Sequence, residues 1–394
     1  MPIQAEKTRK DFEVLKKGII YFDSACMSLK PKQVVEKINE YYNEYPACAG
    51  RSSHKLGKRL EHEILVARKK ISNFINAKKP DEIIFTRNTT ESINLVVNSF
   101  GLKKGDAVLI SDKEHNSNLV PWIMLRNKIG IKLKTFEFAN LNDFEKHLTG
   151  DVKLVSVAQT SNLDGTSQDV KEMARIAHKK GAKILVDAAQ SIPHRGIDVR
   201  KMDADFVAFS GHKMLGPSGT GVLYGKMHEL EKLSPFITGG DTVKNTTYNS
   251  AEMENIPARF EAGLQDYAGI VGLGAAVDYL KKIGMKNIEK HEIILNKIIT
   301  DGLKDKVELI GPENPEERGG IFSFNIKNLE PHEVALILDH STNIMIRSGM
   351  HCVHSWFNAR KMKGSARASL YLYNTEQEAR RFVEEVSKIA KIVR

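Results

Sequence analysis

Phe209-Ser210-Gly211-His212-Lys213-Met214-Leu215-Gly216-Pro217-Ser218-Gly219-Thr220-Gly221 joins two apolar runs. Before it, Asp205-Phe206-Val207-Ala208-Phe209 reads as a buried strand. After it, Val222-Leu223-Tyr224 reads as another. Four glycines and a proline forbid a regular helix between them. Lys213 is therefore held between a strand end and a glycine-rich turn, unlike a solvated surface lysine.

Outward from this stretch, strands and helices alternate. Strands are expected at 82–86, 107–110, 132–136, 154–157, 183–187, 206–209 and 222–224. Helices are expected at 31–42, 59–75, 90–98, 119–127 and 170–179. Pro31 suits a first helical position, and Leu60, Ile64, Ala67, Ile71, Phe74 and Ile75 form one apolar stripe. Continuous apolar strands between amphipathic helices predict an α/β fold, with a mostly parallel sheet covered by helices on both faces. Ligands then sit at the carboxyl ends of the strands. The periodicity lapses over 239–264, where 242–249 reads as a hairpin or lid. Gly269 to Val277 reads as a close-packed helix with small residues on one side. A helix at 286–303, strands at 307–310, 320–326 and 344–346, a helix at 331–339, a strand at 368–371 and a helix at 376–393 make a smaller α+β domain. The expected division is 20–265 for the large domain, with 1–19 and 266–394 for the small one.

Bulk properties narrow the function. The chain has 394 residues, 41% of them hydrophobic and 27% charged, ordinary for a globular protein with a large core. No apolar run approaches the length of a membrane span, and the first ten residues lack the apolar core of a signal peptide. The expectation is a cytoplasmic protein with no membrane partner. Cys26, Cys48 and Cys352 are too few and too scattered for a disulfide framework, and no C-x-x-C pair suggests zinc. The formal charge of +10 would suit a nucleic acid, but the lysines are spread along the chain. A solvated lysine-rich surface is the preferred reading, an acidic partner protein the minor one, and no nucleic acid is expected.

Asp187 ends one strand and Lys213 follows the next. An acid and a lysine on neighbouring strand ends suit pyridoxal 5'-phosphate, the lysine forming the Schiff base and the acid pairing with the ring nitrogen. A plain Asp–Lys ion pair is the alternative. Asn88-Thr89-Thr90-Glu91 opens a helix after a strand. It reads either as a capping box or as a phosphate site on the free amides of Thr89 and Thr90. His115 could stack on a flat ring, or simply be solvated. Cys352, in Arg347-Ser348-Gly349-Met350-His351-Cys352-Val353-His354, lies between basic residues that favour a nucleophilic thiolate. His351-Cys352-x-His354 alone is weak as a metal site. Gly272-x-Gly274 and Gly216 to Gly221 lack the remaining residues of nucleotide motifs.

Together, Thr89-Thr90-Glu91, Glu114-His115, Asn162, Asp187-x-x-Gln190, Ser210-Gly211-His212-Lys213 and Arg347-x-Gly349-x-His351-Cys352 resemble the class V aminotransferase superfamily of fold-type I pyridoxal phosphate enzymes. Within it they resemble the SufS/CsdA-type (group II) cysteine desulfurases, from about residue 19 to the last helix. The resemblance implies a homodimer that converts L-cysteine to L-alanine. It leaves a persulfide on Cys352 and passes sulfur to an acceptor, for iron–sulfur cluster assembly or thiolation. It implies that Lys213 is the Schiff-base lysine and proton shuttle, and that His115 stacks on the ring. Asp187 would meet the ring nitrogen and Gln190 the phenolic oxygen. Thr89, Thr90, Ser210 and His212 would hold the phosphate, Asn162 and Arg367 would meet the substrate carboxylate, and Arg347 would position the Cys352 loop.

The chain departs from the pattern in places. Leu264, in Glu261-Ala262-Gly263-Leu264-Gln265, stands where the family has a threonine that reaches the partner's cofactor phosphate. Asp23-Ser24-Ala25-Cys26 stands for Asp-Asn-Ala-Ala and brings a second thiol toward the pocket. The competing readings are another class V enzyme (selenocysteine lyase, cysteine lyase or aminotransferase) and a non-catalytic scaffold keeping the fold.

Overall fold

The structure is a computed structural model that describes residues 3–393. Its centre is a sheet of seven strands, in the order Ile83–Thr86, Gly221–Gly225, Phe206–Ser210, Lys183–Asp187, Val152–Ala158, Ala107–Ser111 and Lys132–Phe136. The last five are mutually parallel, and Gly221–Gly225 runs antiparallel to both its neighbours. Every residue of Phe206–Ser210 is buried, as a strand covered on both faces requires. Fully burying Phe206, Val207 and Phe209 contributes about 1.5–3 kcal/mol each.

Helices cover both faces. Lys55–Phe74 buries the predicted stripe of Leu60, Ile64, Ala67 and Ile71. It packs with Lys32–Glu44 against Tyr267–Ile283. The small residues of that last helix are there for contact: a Cβ on Gly272 would lie 2.8 Å from Ile38, and one on Gly274 3.0 Å from Ala67. On the same side, Arg68 makes a bidentate ion pair with Glu261 at 2.7 and 2.8 Å, and Glu261 also accepts from Phe85 N–H at 2.7 Å. Both side chains are almost wholly buried. Arg68→Ala strands the carboxylate and is expected to cost about 3 kcal/mol, read as a lower denaturant midpoint at unchanged slope.

A second sheet, Glu308–Ile310, Ile321–Asn325, Ser365–Ser369 and Arg347–Gly349, is antiparallel throughout. Helices Met285–Leu303, Pro331–Thr342 and Glu376–Ile392 pack around it in a separate apolar core. The N-terminal segment crosses to this core: Ile20 pairs with Ile344, Tyr21 with Met345, and Asp23 bridges Ser369.

Three expectations change. The strand placed at 368–371 is Ser365–Ser369, while Leu370 to Tyr373 is buried without being a strand. The loop expected to carry Arg347 begins as a strand, Arg347–Gly349, and ends in a helix, His354–Ala359. The 242–249 stretch is one arm of a hairpin, Val243–Thr246 with Ala251–Met253, and Tyr248 is fully exposed at its tip.

Candidate active site

The carboxyl ends of the parallel strands open on a cavity of about 250 Å³. Lys213 lines it from the short turn after Phe206–Ser210, and Asp187 from the end of the next strand. Asp187 accepts from Ala189 N–H at 2.9 Å, and burial pushes its carboxyl up against the opposing charge of Lys213. Burial likewise lowers the Lys213 ammonium, with Asp187 opposing. Lys213 has no hydrogen-bond or ion-pair partner among the described residues, so its amine is free for chemistry.

The glycine-rich turn brings a helix start to the same place. Thr89–Ser99 begins beside Gly221, where a Cβ would lie 2.5 Å from Asn88 Cα. Asn88 caps the helix by accepting from Glu91 N–H at 3.0 Å, but the expected capping box is not closed, because the Glu91 carboxylate accepts from Arg87 N–H at 2.7 Å. The phosphate reading changes in detail. Thr89 N–H already donates to Ser210 Oγ at 2.8 Å, and the Thr89 and Ser210 hydroxyls lie 2.6 Å apart. Thr90, its hydroxyl paired with Ser117 at 2.8 Å, is the next donor toward the cavity. Such a helix start favours an anion.

His115 caps the helix Asn116–Ile129, its Nδ1 accepting from Ser117 N–H at 3.0 Å. The ring proton is thereby assigned to Nε2. Burial first, then Lys213 and Arg367, push its pKa down to about 3, so the imidazole is neutral at physiological pH. Its neighbour Glu114 is buried and accepts from Ala158 N–H at 2.9 Å and Asn118 Nδ2 at 2.7 Å, which fixes the loop to the sheet.

The second sheet supplies the opposite wall. Arg347 and Arg367 stand directly opposite each other across a strand pair, an arrangement that repels unless an anion lies between. Asp23 fills that need, 3.5 Å from Arg367 and 3.7 Å from Arg347. Arg367, 2% exposed, also donates to Asn162 O at 2.7 Å, but its Nε has no partner. Cys352 and His351 both have left-handed backbones, with φ of 59° and 48°, costly for side-chain-bearing residues. The turn is held by Asn162 Nδ2 donating to His351 O, and by Asn116 N–H donating to Cys352 O, both at 2.7 Å.

All twelve residues singled out from the sequence (Thr89, Thr90, His115, Asn162, Asp187, Gln190, Ser210, His212, Lys213, Arg347, Cys352 and Arg367) line this one cavity. A family model described as Aminotransferase class-V matches residues 20–382. The chain belongs to that family. It is 41% identical over 93% of its length to a "Probable cysteine desulfurase" of Halalkalibacterium halodurans, covering 92% of that protein. It is 36% identical over 98% of its length to a "Cysteine desulfurase" of Haloferax volcanii, covering 96% of that protein. Among solved structures it is similar to the apo cysteine desulfurase of Thermococcus onnurineus, at 40% identity with a TM-score of 0.95 over 99% of both chains. It is also similar to the cysteine desulfurase CsdA of Escherichia coli, at 29% identity with a TM-score of 0.92 over the whole of both chains.

Sequence reasoning gave no role to Asp23, Ser117 or His351, although Asp23 and His351 stand within the quoted motifs. His351 Nε2 donates to Ser365 O at 3.1 Å, and its buried Nδ1 has no partner. Burial holds it far below the ordinary imidazole range. Below about pH 6.5 the unfolded chain therefore gains a proton at His351 that the folded chain does not. The stability of the native protein relative to His351→Asn should fall between about pH 6.5 and 4.5, by up to about 1.4 kcal/mol per pH unit. Denaturant titrations of both proteins across that range read the difference, in which the buried carboxyls cancel.

Proposed function

We propose that this cavity is where the chain, a pyridoxal 5'-phosphate-dependent cysteine desulfurase, converts L-cysteine to L-alanine with Lys213 and Cys352 in the central roles. The carrying observation is that Lys213, Asp187 and Cys352, from distant parts of the sequence, face one cavity. The residues fit the cofactor. Gln190 donates Nε2 to Ala25 O at 2.7 Å but leaves its buried Oε1 without a partner, and Lys213 is likewise unengaged. When bound, the cofactor supplies an electron sink for negative charge at the substrate's α-carbon.

The chain's own residues do the rest. Lys213 holds the cofactor and carries the α-proton. Asp187, held in place by Ala189 N–H, would keep the ring nitrogen protonated. Thr90, Ser210 and His212 would hold the phosphate at the helix start, with Thr89 fixing the Ser210 hydroxyl. His115, which lines the cavity, would stack on the cofactor ring, and its imidazole would be neutral there. Arg367 and Asn162 receive the substrate carboxylate, and Asp23 yields the guanidinium it occupies. The Cys352 sulfur attacks the substrate's sulfur. An S–S bond forms on Cys352, the C–S bond breaks, and the carbon is protonated to give alanine. Arg347 sets the position of the Cys352 turn.

A cytoplasmic homodimer that hands sulfur to an acceptor protein, for iron–sulfur clusters or thiolation, belongs to the same reading. Two main apolar cores support a two-domain reading with bounds other than 20–265 and 1–19 with 266–394: Phe12, Leu15 and the helix Tyr267–Ile283 pack in the larger core, and Ile20 and Phe22 in the smaller.

The test supplies one preparation with L-cysteine, L-selenocysteine or an amino acid with a 2-oxo acid. L-cysteine should yield alanine, with sulfide released once a reducing thiol is added. A new amino acid formed from the 2-oxo acid would instead make this an aminotransferase.

A further inference from the structure

The turn that starts at Asp23 carries a second thiol into the cavity. Cys26 is part-buried and lines the same cavity as Cys352. Its place is fixed. Cys26 N–H donates to Asp23 O at 3.1 Å, Ala25 N–H to Ser369 Oγ at 3.0 Å, and Ser24 N–H to Ser369 O at 3.3 Å. The turn is thus tied to the strand that carries Arg367. Arg347 Nη1 donates to Cys26 Sγ at 3.0 Å. A guanidinium has no acceptor, so the sulfur receives this bond. Arg347 lines the same cavity and is 43% exposed. The unpartnered Nε of buried Arg367 independently marks this wall as a place for an anion. Both thiols also lie near enough to Lys213 to bear on its charge.

We propose that Cys26 is a second sulfur station, which takes the sulfur that Cys352 has removed from the substrate. This rests on Cys352 being the first acceptor. The Cys26 sulfur attacks the outer sulfur of the Cys352 persulfide. The S–S bond on Cys352 breaks, its electron pair leaving with Cys352 Sγ. A new S–S bond forms on Cys26, and the Cys26 thiol proton passes to Cys352. One thiol and one persulfide enter and one of each leaves, so no oxidant or reductant is needed. The exchange moves sulfur off the strained turn and frees Cys352 for another substrate.

The test uses the full-length enzyme loaded with pyridoxal phosphate, as native protein, Cys26→Ser and Cys352→Ala. Each is checked for cofactor absorption, given L-cysteine, quenched with an alkylating reagent that preserves persulfides, digested and weighed by mass spectrometry. The expected result is one added sulfur on the Cys26 peptide of the native enzyme and its complete loss in Cys352→Ala. In Cys26→Ser, the Cys352 peptide should hold more added sulfur than in the native enzyme. A native Cys26 peptide without sulfur while Cys352 carries it overturns the proposal and leaves the Cys352 role standing. So does a Cys26–Cys352 disulfide in its place. Sulfur persisting on Cys26 in Cys352→Ala overturns the relay by showing direct loading. Alanine formation with no sulfur on either cysteine overturns both readings together.

Discussion

Lys213→Ala should lose both the absorption of the protein-bound cofactor and the turnover of L-cysteine. The lysine lines the cavity with an unengaged amine, and burial lowers its pKa against the opposing charge of Asp187. A depressed amine is the nucleophile that a carbonyl cofactor needs and the base that an α-proton needs. Losing the proton transfer alone costs on the order of 10³-fold, and losing the covalent anchor adds to it. Lys213→Arg should fail equally, because a guanidinium stays protonated. Absorption spectra and alanine release at saturating cofactor measure both effects. Turnover within tenfold of the native enzyme would take Lys213 out of the mechanism.

Cys352→Ala should separate the two halves of the reaction. Lys213, Asp187 and the phosphate cradle are untouched, so the cofactor spectrum should survive. The α-proton of L-cysteine should still exchange with solvent deuterium. Alanine formation should fall on the order of 10³-fold or more, because a missing nucleophile is not replaced by its neighbours. Parallel measurements of exchange and alanine decide the matter. Undiminished alanine would mean that sulfur leaves without Cys352, while loss of exchange as well would mean that the substitution disturbed the whole site.

The parallel sheet was legible because burial on both faces leaves strands almost wholly apolar, as in Phe206–Ser210. The same rule misled at the other sheet. Leu370 to Tyr373 is the more apolar run, yet the strand is Ser365–Ser369, whose buried Arg367 is paid for by Asn162 and Asp23 rather than by apolar packing. The site was legible where each residue follows a strand end, as Asp187 and Lys213 do. It was not legible where strand register makes it. Nothing in either segment alone says that Arg347 lies opposite Arg367, or that Asp23 comes between them. The hydrogen bond from Thr89 to Ser210 was hidden in the same way, since it spans two non-adjacent elements.

The bridge from Asp23 to Ser369 sets a timetable for synthesis. A ribosome releases Asp23 and Cys26 hundreds of residues before their supports. Ile20 has no strand to lie on until Ile344 has emerged, and the turn at Asp23 has no anchor until Ser369 has. A nascent chain that has completed Asp187 and Lys213 still lacks Arg347, Cys352 and Arg367. Such an unfinished chain has a place for the cofactor and none for the sulfur. On the reading given above, the reactive persulfide cannot form before almost the whole polypeptide has been made.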